Sequence, residues 1–164
     1  MPRFRLTVAY DGTDFHGWQR QDPPGGPPLR TVQGVLEAAA TEALGTRTPV
    51  TGASRTDAGV HAIGQVASFE ADTRIPVDRL AMALNARLPD DVRVRDAQVV
   101  PGAFDPISDC VSKCYRYSMA FADDGTDGAL LFERRTTWTT WHRLDLDRMR
   151  EAAAALVGTH DFAA

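Results

Sequence analysis

The stretch Arg3-Phe4-Arg5-Leu6-Thr7-Val8-Ala9-Tyr10 decides the fold, because its side chains alternate in character with a period of two. Phe4, Leu6, Val8 and Tyr10 share one face, whereas Arg3, Arg5 and Thr7 share the other. Successive side chains of an extended chain point to opposite sides, so the pattern describes a strand with one face buried and one face wet. Asp11-Gly12-Thr13 ends it in a turn. The following Gln21 to Pro28 holds four prolines and two glycines, which exclude helix and central strand alike and leave a loop.

Outward from that strand the periodicity changes. Thr31 is the expected N-cap of a helix that carries Val32, Val35, Leu36, Ala39, Ala40, Ala43 and Leu44 at three-and-four spacing and stops at Gly45. Thr48 to Ala53 and Ile63 to Glu70 read as strands flanking a Ser54–Ala62 loop. A second helix is expected to open at Pro76 and to turn Val77, Leu80, Ala81, Leu84 and Leu88 inward. Val92 to Arg95 alternates again as a fourth strand. The order β-α-β-β-α-β over residues 1–104 predicts an α+β, ferredoxin-like half: an antiparallel sheet with helices on one face. Residues 105–164 are expected to hold connecting strands and a helix, the start of a second, similar half. These are a strand over Tyr115–Phe121, a turn around Asp123-Asp124-Gly125, a strand near Thr136 to Thr140, and a helix over Asp145–Val157 closed by Gly158.

Composition narrows the class without naming a function. At 164 residues, 43% hydrophobic and 24% charged, the chain is long enough to bury a core. No apolar run is long enough to span a bilayer, and the N-terminus enters a strand with no signal-peptide core; the expected location is cytoplasmic. Cys110 and Cys114 are expected as free thiols in that reducing compartment. Four scattered histidines give no metal-ligand spacing, so no metal site is expected. A net charge of −4 argues mildly against nucleic acid. All 18 basic residues except Lys113 are arginine, whose planar fork suits phosphates and stacks on bases. A GC-rich coding bias explains the same excess, so composition decides nothing here.

Three polar segments remain. Ser54-Arg55-Thr56-Asp57-Ala58-Gly59-Val60-His61 places a cation, a hydroxyl and a carboxylate in consecutive positions between two strands, where sites are commonly built. The plainer reading is that Asp57 caps its own backbone ahead of Gly59, and spacing alone favours that reading. Asp11, Asp14 and His16 have the look of a divalent-metal cluster, yet Gly12 and Gly17 explain both aspartates as turn formers. Trp18 beside Arg20, flanked by Gln19 and Gln21, is either a nucleic-acid surface or a tryptophan covering the sheet edge. In Lys113-Cys114-Tyr115-Arg116-Tyr117 the tyrosines face one way and Arg116 the other if the segment is a strand. Tyr115 is then an ordinary core or rim residue, or a ring placed to stack on a base.

Taken together these segments resemble one family. Tyr10-Asp11-Gly12-Thr13-Asp14-Phe15-His16-Gly17-Trp18-Gln19-Arg20-Gln21 looks like the first signature of the TruA-type tRNA pseudouridine synthases. Thr31-Val32-Gln33-Gly34-Val35-Leu36-Glu37 resembles their first helix, and Arg55-Thr56-Asp57-Ala58-Gly59-Val60-His61-Ala62 with Gly64-Gln65-Val66 their catalytic loop. Asn85-Ala86-Arg87-Leu88-Pro89 and Lys113-Cys114-Tyr115-Arg116-Tyr117 follow in the family's order.

The resemblance implies an isomerase that converts uridine to pseudouridine at positions 38–40 of the tRNA anticodon stem-loop, with no cofactor. It implies Asp57 as the essential carboxylate, attacking C1′ or the base or accepting a sugar proton. It further implies Arg55 helping to extrude the target nucleotide, Tyr115 stacking on the flipped uracil, and Arg20 lying along the RNA backbone. A homodimer gripping one tRNA is implied as well.

Two departures stand out. Ser54 replaces a common glycine, and Phe104-Asp105-Pro106-Ile107 occupies a stretch that often reads Phe-His-Ala-Arg, which removes a basic contact. Family members run to roughly 250 residues in two similar halves, so the chain is expected to stop near His160-Asp161-Phe162, where the second half begins. The resulting expectations are an RNA-modifying enzyme whose activity in these residues alone is small or absent, a tRNA-binding module that does not modify, or an inactive fragment.

Overall fold

β1 (Arg3–Tyr10) is the central strand, and its alternation is obeyed residue by residue: Phe4, Leu6, Val8 and Tyr10 are buried while the intervening side chains are partly exposed. The computed structural model describes residues 1–121 and 129–161, with backbone alone at 129 and 130. They fall into two compact units, Met1–Cys114 and Tyr115–Ala164.

In the first unit α1 (Val32–Leu44), β2 (Thr51–Gly52), β3 (Ala62–Glu70), α2 (Val77–Asn85) and β4 (Val92–Val100) follow β1. The sheet order is β2-β3-β1-β4 with every neighbouring pair antiparallel. Order and direction are those of the ferredoxin-like βαββαβ arrangement. Leu36, Ala39 and Ala40 of α1 and Leu80 and Leu84 of α2 join Phe4, Leu6 and Val8 in one core, which places both helices on one face. The opposite face carries Arg3, paired with Glu70 at 2.6 Å, and Arg5, which donates to Gln98.

α1 begins and ends as its sequence requires. The Thr31 hydroxyl accepts the Gly34 amide, and Gly45 ends the helix in the left-handed region at φ 70°. β2 is much shorter than the Thr48–Ala53 strand expected. Side chains of α1 occupy the backbone that would extend it: Glu37 accepts the Val50 amide at 3.1 Å and Gln33 donates to the Val50 carbonyl at 2.9 Å. Thr48 likewise donates its amide to the Thr41 hydroxyl. At α2, Pro76 is the cap rather than the first helical residue, and Val77 is exposed instead of inward. A terminal turn has packing neighbours on one side only, so the buried stripe reduces to Leu80 and Leu84, with Leu88 closing it just past the helix. β4 runs on to Val100, beyond the expected Arg95.

The second unit contains β5 (Met119–Phe121), α3 (Ala129–Glu133), β6 (Trp138–Thr140) and α4 (Leu146–Ala154). Tyr115 and Tyr117 precede β5 rather than lying in it, so the alternation expected from Tyr115 begins only at Met119. β5 and β6 pair in parallel, a geometry that needs a crossover, and the unanticipated α3 lies in it. The Asp123-Asp124-Gly125 turn falls outside the described residues, as does Phe162. Asp145 caps α4 as expected, accepting the amides of Asp147 and Arg148. The helix ends at Ala154 instead of Val157, because the following amides tighten to three-residue returns: Ala155 to Ala152, Leu156 to Ala153 and Val157 to Ala154. Among the described residues no helix is long and apolar enough to cross a membrane.

Candidate active site

β1 ends at Tyr10, which pairs with Ala62 at the start of β3, so the loop after β1 and the loop between β2 and β3 emerge at the same end of the sheet. They lie against each other along their backbones. The Trp18 amide donates to the Thr56 carbonyl at 2.9 Å, and the Gly59 amide to the Phe15 carbonyl at 3.4 Å. Two glycines make this approach possible. A Cβ on Gly12 would sit 2.1 Å from the Val60 carbonyl oxygen, and one on Gly17, itself at φ 89°, would sit 2.7 Å from the Thr56 carbonyl oxygen. Side chains tie the remaining points. Gln65 donates to the Ser54 carbonyl at 2.7 Å, and the Tyr10 hydroxyl meets the Thr56 hydroxyl at 2.8 Å. His61 Nδ1 stands 3.2 Å from the Gly12 amide and 3.1 Å from Asp11 Oδ1, accepting from the former when the nitrogen is bare and donating to the latter when it is protonated.

Asp57 opens a turn in which the Val60 amide returns to the Asp57 carbonyl, with Gly59 at φ 80° in the third position, the requirement of a type II turn. The Asp57 side chain is exposed, and so is that of Arg55. Among the described residues of the first unit they form no ion pair with each other; they leave the loop on either side of Thr56. An open groove of about 580 Å³ lies between the loops, lined by His16, Trp18 and Gln19 to Gln21 on one side and Arg55 to Ala58 on the other. The structure therefore brings Asp57, Arg55 and Arg20 to one groove. Tyr115 is the first residue of the second unit and is exposed ahead of β5.

Arg20 does not reach into the groove as an isolated cation. Its guanidinium meets Asp22 at 3.0 Å and Glu37 at 3.6 Å. The hydrogen bond and charge of Asp22, with a smaller share from Glu37, raise its already high pKa. Its backbone amide is fixed by Gln33 Oε1 at 2.8 Å. Gln33 and Glu37, four apart on α1, thus tie the first loop to Val50, a role readable as two polar positions on an otherwise apolar stripe but not assigned from sequence. Trp18 resolves to the structural alternative. It is 2% exposed, tilted against Tyr10, and packed so closely on Gly52 that a Cβ there would fall 2.3 Å from its ring.

Other charged and polar groups around the groove have structural employment. Arg30 lies over the Phe15 ring at 3.9 Å and pairs with Asp91 at 2.9 Å, which raises its pKa. The first amides of α1 are taken by Gly17 O, Trp18 O and the Thr31 hydroxyl, so that helix end holds no open anion site. Asp11 accepts the amide and hydroxyl of Thr13, the turn role expected of it. Asn85 exchanges two 2.8 Å bonds with the Val94 backbone, where β4 bulges against β1. No group of three His, Cys, Asp or Glu side chains able to hold a metal occurs among the described residues.

Residues 6–106 match the family model described as tRNA pseudouridine synthase. Over all 164 residues the chain is 45% identical to a tRNA pseudouridine synthase A of Geobacter sp. (strain M21), covering 63% of that protein. It is 45% identical to the protein of that name from Myxococcus xanthus, covering 58% of it, and 41% identical to that of Acetivibrio thermocellus, covering 64%. The chain thus spans about three fifths of the length of these curated relatives.

Proposed function

Because the chain belongs to the tRNA pseudouridine synthase family, we propose that its protein isomerises uridine to pseudouridine in tRNA, with Asp57 as the essential carboxylate and uridines 38–40 of the anticodon stem-loop as targets. The observation that carries this reading is the exposed Asp57 carboxylate at a groove whose two walls are braced backbone to backbone.

The reaction breaks the N1–C1′ bond, turns the uracil and joins C5 to C1′; C5 loses a proton and N1 gains one, so the product is an isomer. No electrons, cofactor or energy source are consumed. Asp57 attacks C1′, attacks the base, or accepts a sugar proton, and each route needs a carboxylate that an extruded nucleotide can reach from solvent. Arg55, exposed and without an ion-pair partner among the described residues of the first unit, supplies a cation to help displace the target nucleotide. Arg20 meets the backbone phosphates beside the groove after exchanging Asp22 for phosphate, and Tyr115 stacks on the flipped uracil. A cytoplasmic homodimer completes the proposal.

The test incubates purified protein with unmodified tRNA and maps pseudouridine in the anticodon arm. Formation at 38–40 that vanishes in Asp57→Asn, with tRNA still bound, supports the reading. Full activity in that variant refutes the role of Asp57, and binding without modification in the unaltered protein supports an RNA-binding module instead.

A further inference from the structure

The geometry points to Thr56, gripped by the Tyr10 hydroxyl, as the positioning residue that turns Asp57 and Arg55 outward into the groove. This deepens the reading of Asp57 above and rests on it for its functional consequence. Thr56 is held through both side chain and backbone: its hydroxyl meets that of Tyr10 at 2.8 Å, and its carbonyl accepts the Trp18 amide at 2.9 Å. Tyr10 is a rigid anchor, because its ring is in the core at the end of β1 and lies against Trp18. Burial alternates along this segment, with Ser54 and Thr56 partly buried and Arg55 and Asp57 exposed, the pattern of neighbouring side chains that point opposite ways. Thr56 held inward therefore leaves Arg55 and Asp57 outward, as their exposure records.

A purely space-filling Tyr10 has no need of its hydroxyl, and a purely local Thr56 has no need of its own. The hydrogen bond between the two hydroxyls adds a side-chain link from the end of β1 to the residue between Arg55 and Asp57.

Tyr10→Phe and Thr56→Val each remove that bond while keeping shape, and Thr56→Ser retains it. The 164-residue chain is followed by amide hydrogen exchange. The Trp18 amide, bonded to Thr56, should exchange about three- to tenfold faster in Tyr10→Phe, in Thr56→Val and in the double variant alike. Thr56→Ser should match the unaltered chain, and the Leu6 and Val66 amides of the sheet should keep their rates. Unchanged exchange at Trp18, effects that add in the double variant, or equal acceleration across the sheet would each overturn the inference.

In the pseudouridine assay the same variants should lower kcat about three- to tenfold with KM unchanged. If Asp57→Asn retains activity while the exchange pattern stands, the functional reading of Asp57 has failed and the grip on Thr56 has not.

Discussion

Replacing Gly12 by alanine tests the claim that the two loops are formed against each other. A Cβ at that position would lie 2.1 Å from the Val60 carbonyl oxygen and 2.5 Å from its carbonyl carbon, both backbone atoms that no rotamer change can move. Ordinary contact begins at 3.4 Å, so the loop carrying Asp57 must retreat by about 1.3 Å or Gly12 must move with the end of β1. Overpacking of this kind costs about 1–3 kcal/mol, and a shift of about an ångström at a reacting group costs on the order of a hundredfold in rate.

Two controls separate the causes. Gly59→Ala meets nothing within 4 Å but must hold φ 80°, so it should lose only about 1 kcal/mol of stability. Gly64→Ala has open space and no such dihedral, and should be near neutral. Urea unfolding followed by Trp18 fluorescence, with the exposed Trp138 and Trp141 changed to phenylalanine, reads stability in the first unit. Pseudouridine formation reads position. A Gly12→Ala protein with unaltered midpoint and rate would refute the close-approach argument outright.

Asp22→Asn should free Arg20 of its nearer carboxylate and tighten tRNA binding about two- to fivefold at low salt, with a steeper salt dependence in a filter-binding titration; equal affinity would show that Arg20 makes no phosphate contact. Asn85→Ala leaves the Val94 amide and carbonyl without their side-chain partner and should cost about 2–3 kcal/mol by urea unfolding. Asp105 is held below the ordinary aspartate value of 3.8 by the amides of Ser108 and then Ile107. Its depressed folded pKa means the turn is favoured above the unfolded value and loses that stability as pH falls through the folded one. The Ile107 and Ser108 amide shifts should therefore titrate together below 3.8, and Asp105→Ala should abolish the transition.

β1, α1 and the turn at Gly45 were legible because each depends on residues near in sequence: alternation in Arg3–Tyr10, a cap at Thr31, a left-handed stop at Gly45. The same locality made the Asp57 loop visible as a polar island between two strands. Where the reading and the structure part, a distant group had intervened. β2 shrank to Thr51–Gly52 because Gln33 and Glu37 took the Val50 backbone, and Trp18 left the candidate surface because Tyr10 and Gly52 enclosed it.

Residue order thus determined the element types, the βαββαβ course and the family signatures, since these are carried by period, caps and local motif. Tertiary structure decided which polar residues face the groove and which serve the scaffold. Asp11, Asp57 and Asp91 are chemically alike in sequence, yet Asp11 closes a turn, Asp91 holds Arg30, and Asp57 stands exposed. A carboxylate's role follows from the partners within a few ångströms of it, and those partners come from parts of the chain that only folding brings together.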